Sequence, residues 1–100
     1  ARLLLTEAEP GEVIAAPRWI LRSTSSTGFN AWTAPDELQV SIEAHAPQSW
    51  TKGLNELGHT TISLDAFSSR TGHAHLIDLQ NGALGGAADP RAEAAAAVGY

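Results

Sequence analysis

Asn81-Gly82 stands between two short runs of strand-compatible residues. A two-residue hairpin loop needs a positive φ at both central positions, and Asn followed by Gly meets that need at least steric cost. The dipeptide therefore predicts a β-hairpin, with residues 73–80 as one arm and 83–87 as the other. An isolated hairpin is marginal in water, so other elements must cover one of its faces.

Those elements are legible upstream. Leu38, Val40 and Ile42 alternate with Gln39, Ser41 and Glu43, which predicts a half-buried strand. Pro47 then opens a helix, and Trp50, Leu54 and Leu57 fall at i, i+4 and i+7 on one face. Gly58 is placed to end that helix in a left-handed conformation. Gly53, inside it, costs about 1 kcal/mol relative to Ala and suggests close packing. A second strand follows, with Ile62 and Leu64 on one face and Thr61 and Ser63 on the other. Residues 68–72 read as a loop.

Residues 3–16 favour short helical turns, with Pro10 at a first helical position. Pro17 turns Ala16 to extended backbone, and Trp19-Ile20-Leu21 can begin a strand. Residues 23–30 (STSSTGFN) read as a polar loop. Near the other end, Asp89-Pro90 resembles an N-cap followed by a helical first residue, so residues 91–98 predict a last helical turn or two. The sum is one α+β domain over residues 1–100: an antiparallel sheet of about four strands with one main packed helix.

Composition narrows the function. The formal charge is −5, and the six basic residues are scattered, so no stripe tracks a phosphate backbone and no nucleic-acid partner is expected. No apolar run approaches a membrane span, and no membrane partner is expected. The absence of cysteine excludes disulfides, thiol catalysis and thiolate metal sites. No cofactor is expected. The chain begins with Ala rather than Met, which suggests a processed product, a trimmed chain or an excised domain.

Four groups of residues invite chemistry. His73 and His75 lie on one strand face about 6–7 Å apart, a spacing that suits zinc with His59 or Asp65 as third ligand; two ordinary strand histidines are the favoured alternative. Arg91 of Asp89-Pro90-Arg91 suits a substrate carboxylate, but a structural role is favoured, with Asp89 capping and Arg91 paired to a carboxylate or carbonyl. Arg18 beside Trp19 suits an acidic partner, or anchors the Pro17 turn. Hydroxyls of residues 23–27, with His45 and Asp36, supply the ingredients of a triad without a Gly-x-Ser-x-Gly elbow. Of the three tryptophans, Trp50 is expected in the core, and Trp32 at the surface or an interface.

Six runs in order resemble the C-terminal part of the gamma-glutamyltransferase family: residues 10–19 (PGEVIAAPRW), Pro35-Asp36-Glu37-Leu38 with Glu43, Leu57-Gly58-His59, Gly72-His73-Ala74-His75 with Ile77, residues 85–91 (GGAADPR), and Gly99-Tyr100. The resemblance implies an N-terminal-nucleophile hydrolase, in which a Thr with a free amine attacks a gamma-glutamyl carbonyl. It implies an αββα sandwich to which this chain contributes outer strands and a covering helix. It carries no catalytic, substrate-binding or metal residue onto any position here, and the first residue is Ala1. The expected role is a structural segment of such an enzyme, inactive alone, whose partner is the remainder of the parent enzyme or another copy of itself. The other readings are a stand-alone α+β module that pairs through a sheet edge, and a metal module built on His73 and His75.

Overall fold

The computed structural model describes residues 7–24 and 37–98. Their elements run α1 (Pro10–Ala15), β1 (Trp19–Ser23), β2 (Leu38–Glu43), α2 (Gln48–Glu56), β3 (Thr60–Leu64), a 3₁₀ turn (Ser69–Thr71), β4 (His75–Gln80) and β5 (Ala83–Ala88). The chain forms two compact units. One lies within residues 17–71; the other is assembled from the segments on either side, up to residue 16 and from residue 72.

In the 17–71 unit, β2 is the central strand. It pairs antiparallel with β1, Trp19 beside Ile42 and Leu21 beside Val40. It pairs parallel with β3, Val40 beside Thr61 and Ile42 beside Ser63. The α+β class expected from the sequence holds, with two refinements: the five strands fall into two sheets, and one pair is parallel. The parallel pair follows from α2, because a helical crossover brings the chain back to the end from which it left.

β2 is also more buried than its alternation predicts. Val40 and Ile42 are buried on one face, and Ser41 and Glu43 are just as buried on the other, Glu43 being 1% exposed. A polar-outward strand was expected; bonds to the Glu43 carboxylate allow it to sit inside instead.

Helix α2 ends as its sequence predicts. Gly58 has φ +89°. Its N–H donates to the Asn55 carbonyl at 3.0 Å, and the His59 N–H to the Leu54 carbonyl at 3.0 Å. This pair of bonds is the Schellman closure that satisfies the last carbonyls of a helix. The close packing expected at Gly53 is absent: a Cβ built there meets nothing within 4 Å.

In the other unit, Asn81 (φ +50°) and Gly82 (φ +79°) form the expected turn, and β4 and β5 pair antiparallel from His75 beside Ala88 to Gln80 beside Ala83. α1 packs on this hairpin. It begins at Pro10, and the Glu12 side chain accepts from the Glu9 N–H at 3.3 Å. Residues 91–94 form turns and 95–98 run irregularly, rather than the helix expected of an Ala-rich run. The start is helix-like, with the Ala92 N–H donating to the Asp89 carbonyl at 3.1 Å. It does not propagate, because so short a segment is marginal without an apolar stripe to bury. Instead Ala97 lies against the hairpin, where a Cβ on Gly86 would come within 3.1 Å of it.

Gly53 leads to a direct check. With open space around it and a helical backbone, Gly53→Ala should stabilise the protein by about 0.5–1 kcal/mol. Urea unfolding of the two proteins measures this, and a destabilised variant would show that the helix needs the missing side chain.

Candidate functional site

Glu43, Asp89 and Arg91 are the buried ionisable side chains among the described residues, and a carboxylate taken from water must be hydrogen-bonded. Glu43 sits at the end of β2. Its Oε2 accepts from the Arg18 N–H at 2.9 Å. Its Oε1 accepts from the Ser68 N–H at 3.0 Å and the Thr71 hydroxyl at 3.1 Å. His45 Nε2 lies 3.7 Å from Oε2, and its ring stacks on Phe67, centroids 4.3 Å apart. Phe67 has φ +54°, a conformation that costs a bulky residue free energy. The turn it makes delivers the Ser68 N–H to Glu43.

Asp89 and Arg91 form the second buried group. Asp89 Oδ2 accepts from the Ala74 N–H at 2.9 Å. Oδ1 accepts from the Arg91 N–H and from Arg91 Nη1, both at 3.0 Å. The guanidinium also donates to the carbonyls of Ile14 at 2.8 Å and Ala16 at 2.9 Å. Those carbonyls close α1, whose last turn has no internal partners for them. Both side chains of the ion pair are 0% exposed. Arg91 therefore fastens a helix end, as the structural reading of Asp-Pro-Arg anticipated, and is withdrawn from any carboxylate in solution.

Among the described residues, the other sequence candidates form no metal-ligating group: no three His, Asp or Glu side chains gather as a metal would require, so His73 and His75 stand without a completed ligand set. Arg18 engages Glu43 through its backbone on both sides: its carbonyl also accepts from the Glu43 N–H at 3.0 Å. These backbone bonds fix the chain after Pro17 to the end of β2. Of the triad ingredients, residues 25–27 and Asp36 lie outside the described residues, as does Trp32. In the sequence Glu43 reads only as a polar position of the alternating strand and as part of the family resemblance, and neither reading reveals its structural weight. The available signal was a charged residue ending an alternating strand next to a Pro-Arg-Trp step.

One face of α2 leaves an apolar surface open. α2 has no fully buried residue, and Trp50, expected in the core, is half-buried. Its face with Leu54 and Leu57 forms one wall of a groove enclosing about 630 Å³. Val40 and Ile42 are the floor, and Trp19 and Leu21 of β1 the other wall. Leu57 is 77% exposed and Trp19 59%. His59 is the one titratable residue in the lining.

No family model matches the chain. It is similar to the oxamate amidohydrolase proenzyme of Klebsiella pneumoniae, with 35% identity over 100 residues. The match covers 99% of this chain and 17% of that protein, so the chain spans a small part of its relative's length. The relationship is to one segment of a hydrolase precursor.

Two substitutions test the buried clusters. Glu43→Ala leaves the Arg18 and Ser68 N–H groups without this acceptor, while the Thr71 hydroxyl keeps the Ser68 carbonyl at 2.9 Å, and should cost about 2–3 kcal/mol. Arg91→Lys keeps the charge but cannot reach two carbonyls and a carboxylate with one ammonium, and should cost about 2–3 kcal/mol. Denaturant midpoints measure both. A near-neutral Arg91→Lys would mean that charge alone, not the planar fork, holds α1.

Proposed function

We propose that this chain is the C-terminal structural segment of an N-terminal-nucleophile hydrolase of the gamma-glutamyltransferase-like kind, acting on an amide bond. Its strands and helix belong to the αββα sandwich of that enzyme and support a catalytic centre built by the rest of it. The nucleophilic Thr, with its own amine as base, belongs to the part of the enzyme outside these residues.

The observation that carries this reading is the match to a precursor of which the chain spans only 17%. The relative is an amidohydrolase and a proenzyme by name, which suits an enzyme that matures by cutting its own chain. The resemblance of residues 10–19, 57–59 and 85–91 points the same way. The use of Glu43, Asp89 and Arg91 in backbone bonds suits a scaffold rather than a catalyst. The substrate is then a small amide: a gamma-glutamyl amide by the family resemblance, or oxamate by the relative's name.

The test is an assay of the isolated chain on a gamma-glutamyl anilide and on oxamate. No turnover above buffer is expected with either. Turnover that disappears on substituting a residue of this chain would overturn the structural role and make the chain a catalyst.

A further inference from the structure

The groove between α2 and the β1–β2 face has a lining that constrains its occupant. Its walls and floor hold two tryptophans, three leucines, a valine and an isoleucine, with no Asp, Glu, Lys or Arg. A small-molecule site needs several convergent polar groups to fix its ligand's orientation, and here His59 is alone. Large aromatic and aliphatic side chains exposed together are instead the anchors of a polypeptide interface. The opposite face of α2 is polar, with Gln48, Ser49, Lys52, Asn55 and Glu56, so only one side of the helix is made for contact.

The length of the relative indicates where a partner polypeptide comes from. Most of that precursor lies outside the matched segment, and a segment of a larger body must meet that body through its apolar surface. A second copy is disfavoured by charge, since each chain carries −5. We propose that the groove lined by Trp19, Leu21, Trp50, Leu54 and Leu57 is the docking surface for an apolar, uncharged segment from the remainder of the hydrolase. This inference rests on the functional reading above. With nine residues, α2 is about 13 Å long, which suits two or three apolar side chains of one helix or strand laid along it.

The experiment replaces the matched segment of the Klebsiella proenzyme with this chain and follows soluble, single-species assembly by size-exclusion chromatography. Three substitutions are then compared: Trp19→Glu and Leu57→Glu in the groove, and Lys52→Glu on the polar face. Leu57 and Trp19 are exposed in the isolated chain, so its circular dichroism should be unchanged in all three, and losses of assembly then report docking rather than folding. The parent chimaera should assemble, Lys52→Glu should match it, and each groove variant should yield at least tenfold less assembled protein. Groove variants that assemble like the parent would overturn the docking surface and leave the functional reading intact. A parent chimaera that fails to assemble would overturn that reading itself. Sedimentation of the isolated chain supplies the last arm: a dimer that Leu57→Glu makes monomeric would identify a second copy as the occupant and refute the proposal.

Discussion

The carboxylate of Glu43 is the interaction on which the 17–71 unit depends. It accepts from a backbone group before β1, from a backbone group after β3, and from a hydroxyl in the 3₁₀ turn. Hydrophobic burial alone cannot supply that order. Among the described residues of this unit only Val40, Ile42 and Leu64 are buried apolar side chains, a small core. A buried carboxylate is costly unless its acceptor sites are filled. Here each oxygen has a donor, so the same group that demands partners also dictates where the loops run.

The Asp89–Arg91 pair solves the equivalent problem in the other unit with the opposite polarity of backbone group. Glu43 collects N–H donors, whereas Arg91 collects carbonyls, the orphans at the end of α1. Asp89 holds the guanidinium and the Ala74 N–H together. Such a pair is weak as a source of net stability but strongly selective of one geometry, since losing either partner strands a buried charge. Selectivity of this kind suits a chain that exposes apolar side chains. Ile77, Leu79 and Leu84 of the hairpin are all exposed, and without internal polar pins such surfaces would favour alternative packings.

Local chemistry made much of this fold readable. Asn81-Gly82 and Gly58 announce backbone conformations that few other residues adopt, and both took them. The alternation in β2 gave the strand and its apolar face. It did not give the burial of the other face, because the partners of Glu43 are 25 and 28 residues away and no local period encodes them. The helix expected after Pro90 illustrates the reverse: the cap is present, but a short segment without an apolar stripe does not propagate it. The parallel pairing of β2 and β3 was implicit in strand, helix, strand, yet alternation says nothing about direction. As for the groove, the helical spacing of Trp50, Leu54 and Leu57 identified an apolar face. Only the register beside Val40 and Ile42 shows that α2 leaves it partly uncovered.

The chain path has a consequence in polymer entropy. The 17–71 unit interrupts the other one, and Arg91 must reach Ile14 across 77 residues. In a disordered chain that closure is a long loop. Folding of the 17–71 unit brings Arg18 and Thr71 to one carboxylate, which short-circuits the loop to about 25 residues and lowers its closure cost by about 1 kcal/mol. The interrupting unit thereby acts as a cross-link made of folded protein: once formed, it shortens the loop that closure of the divided unit must pay for.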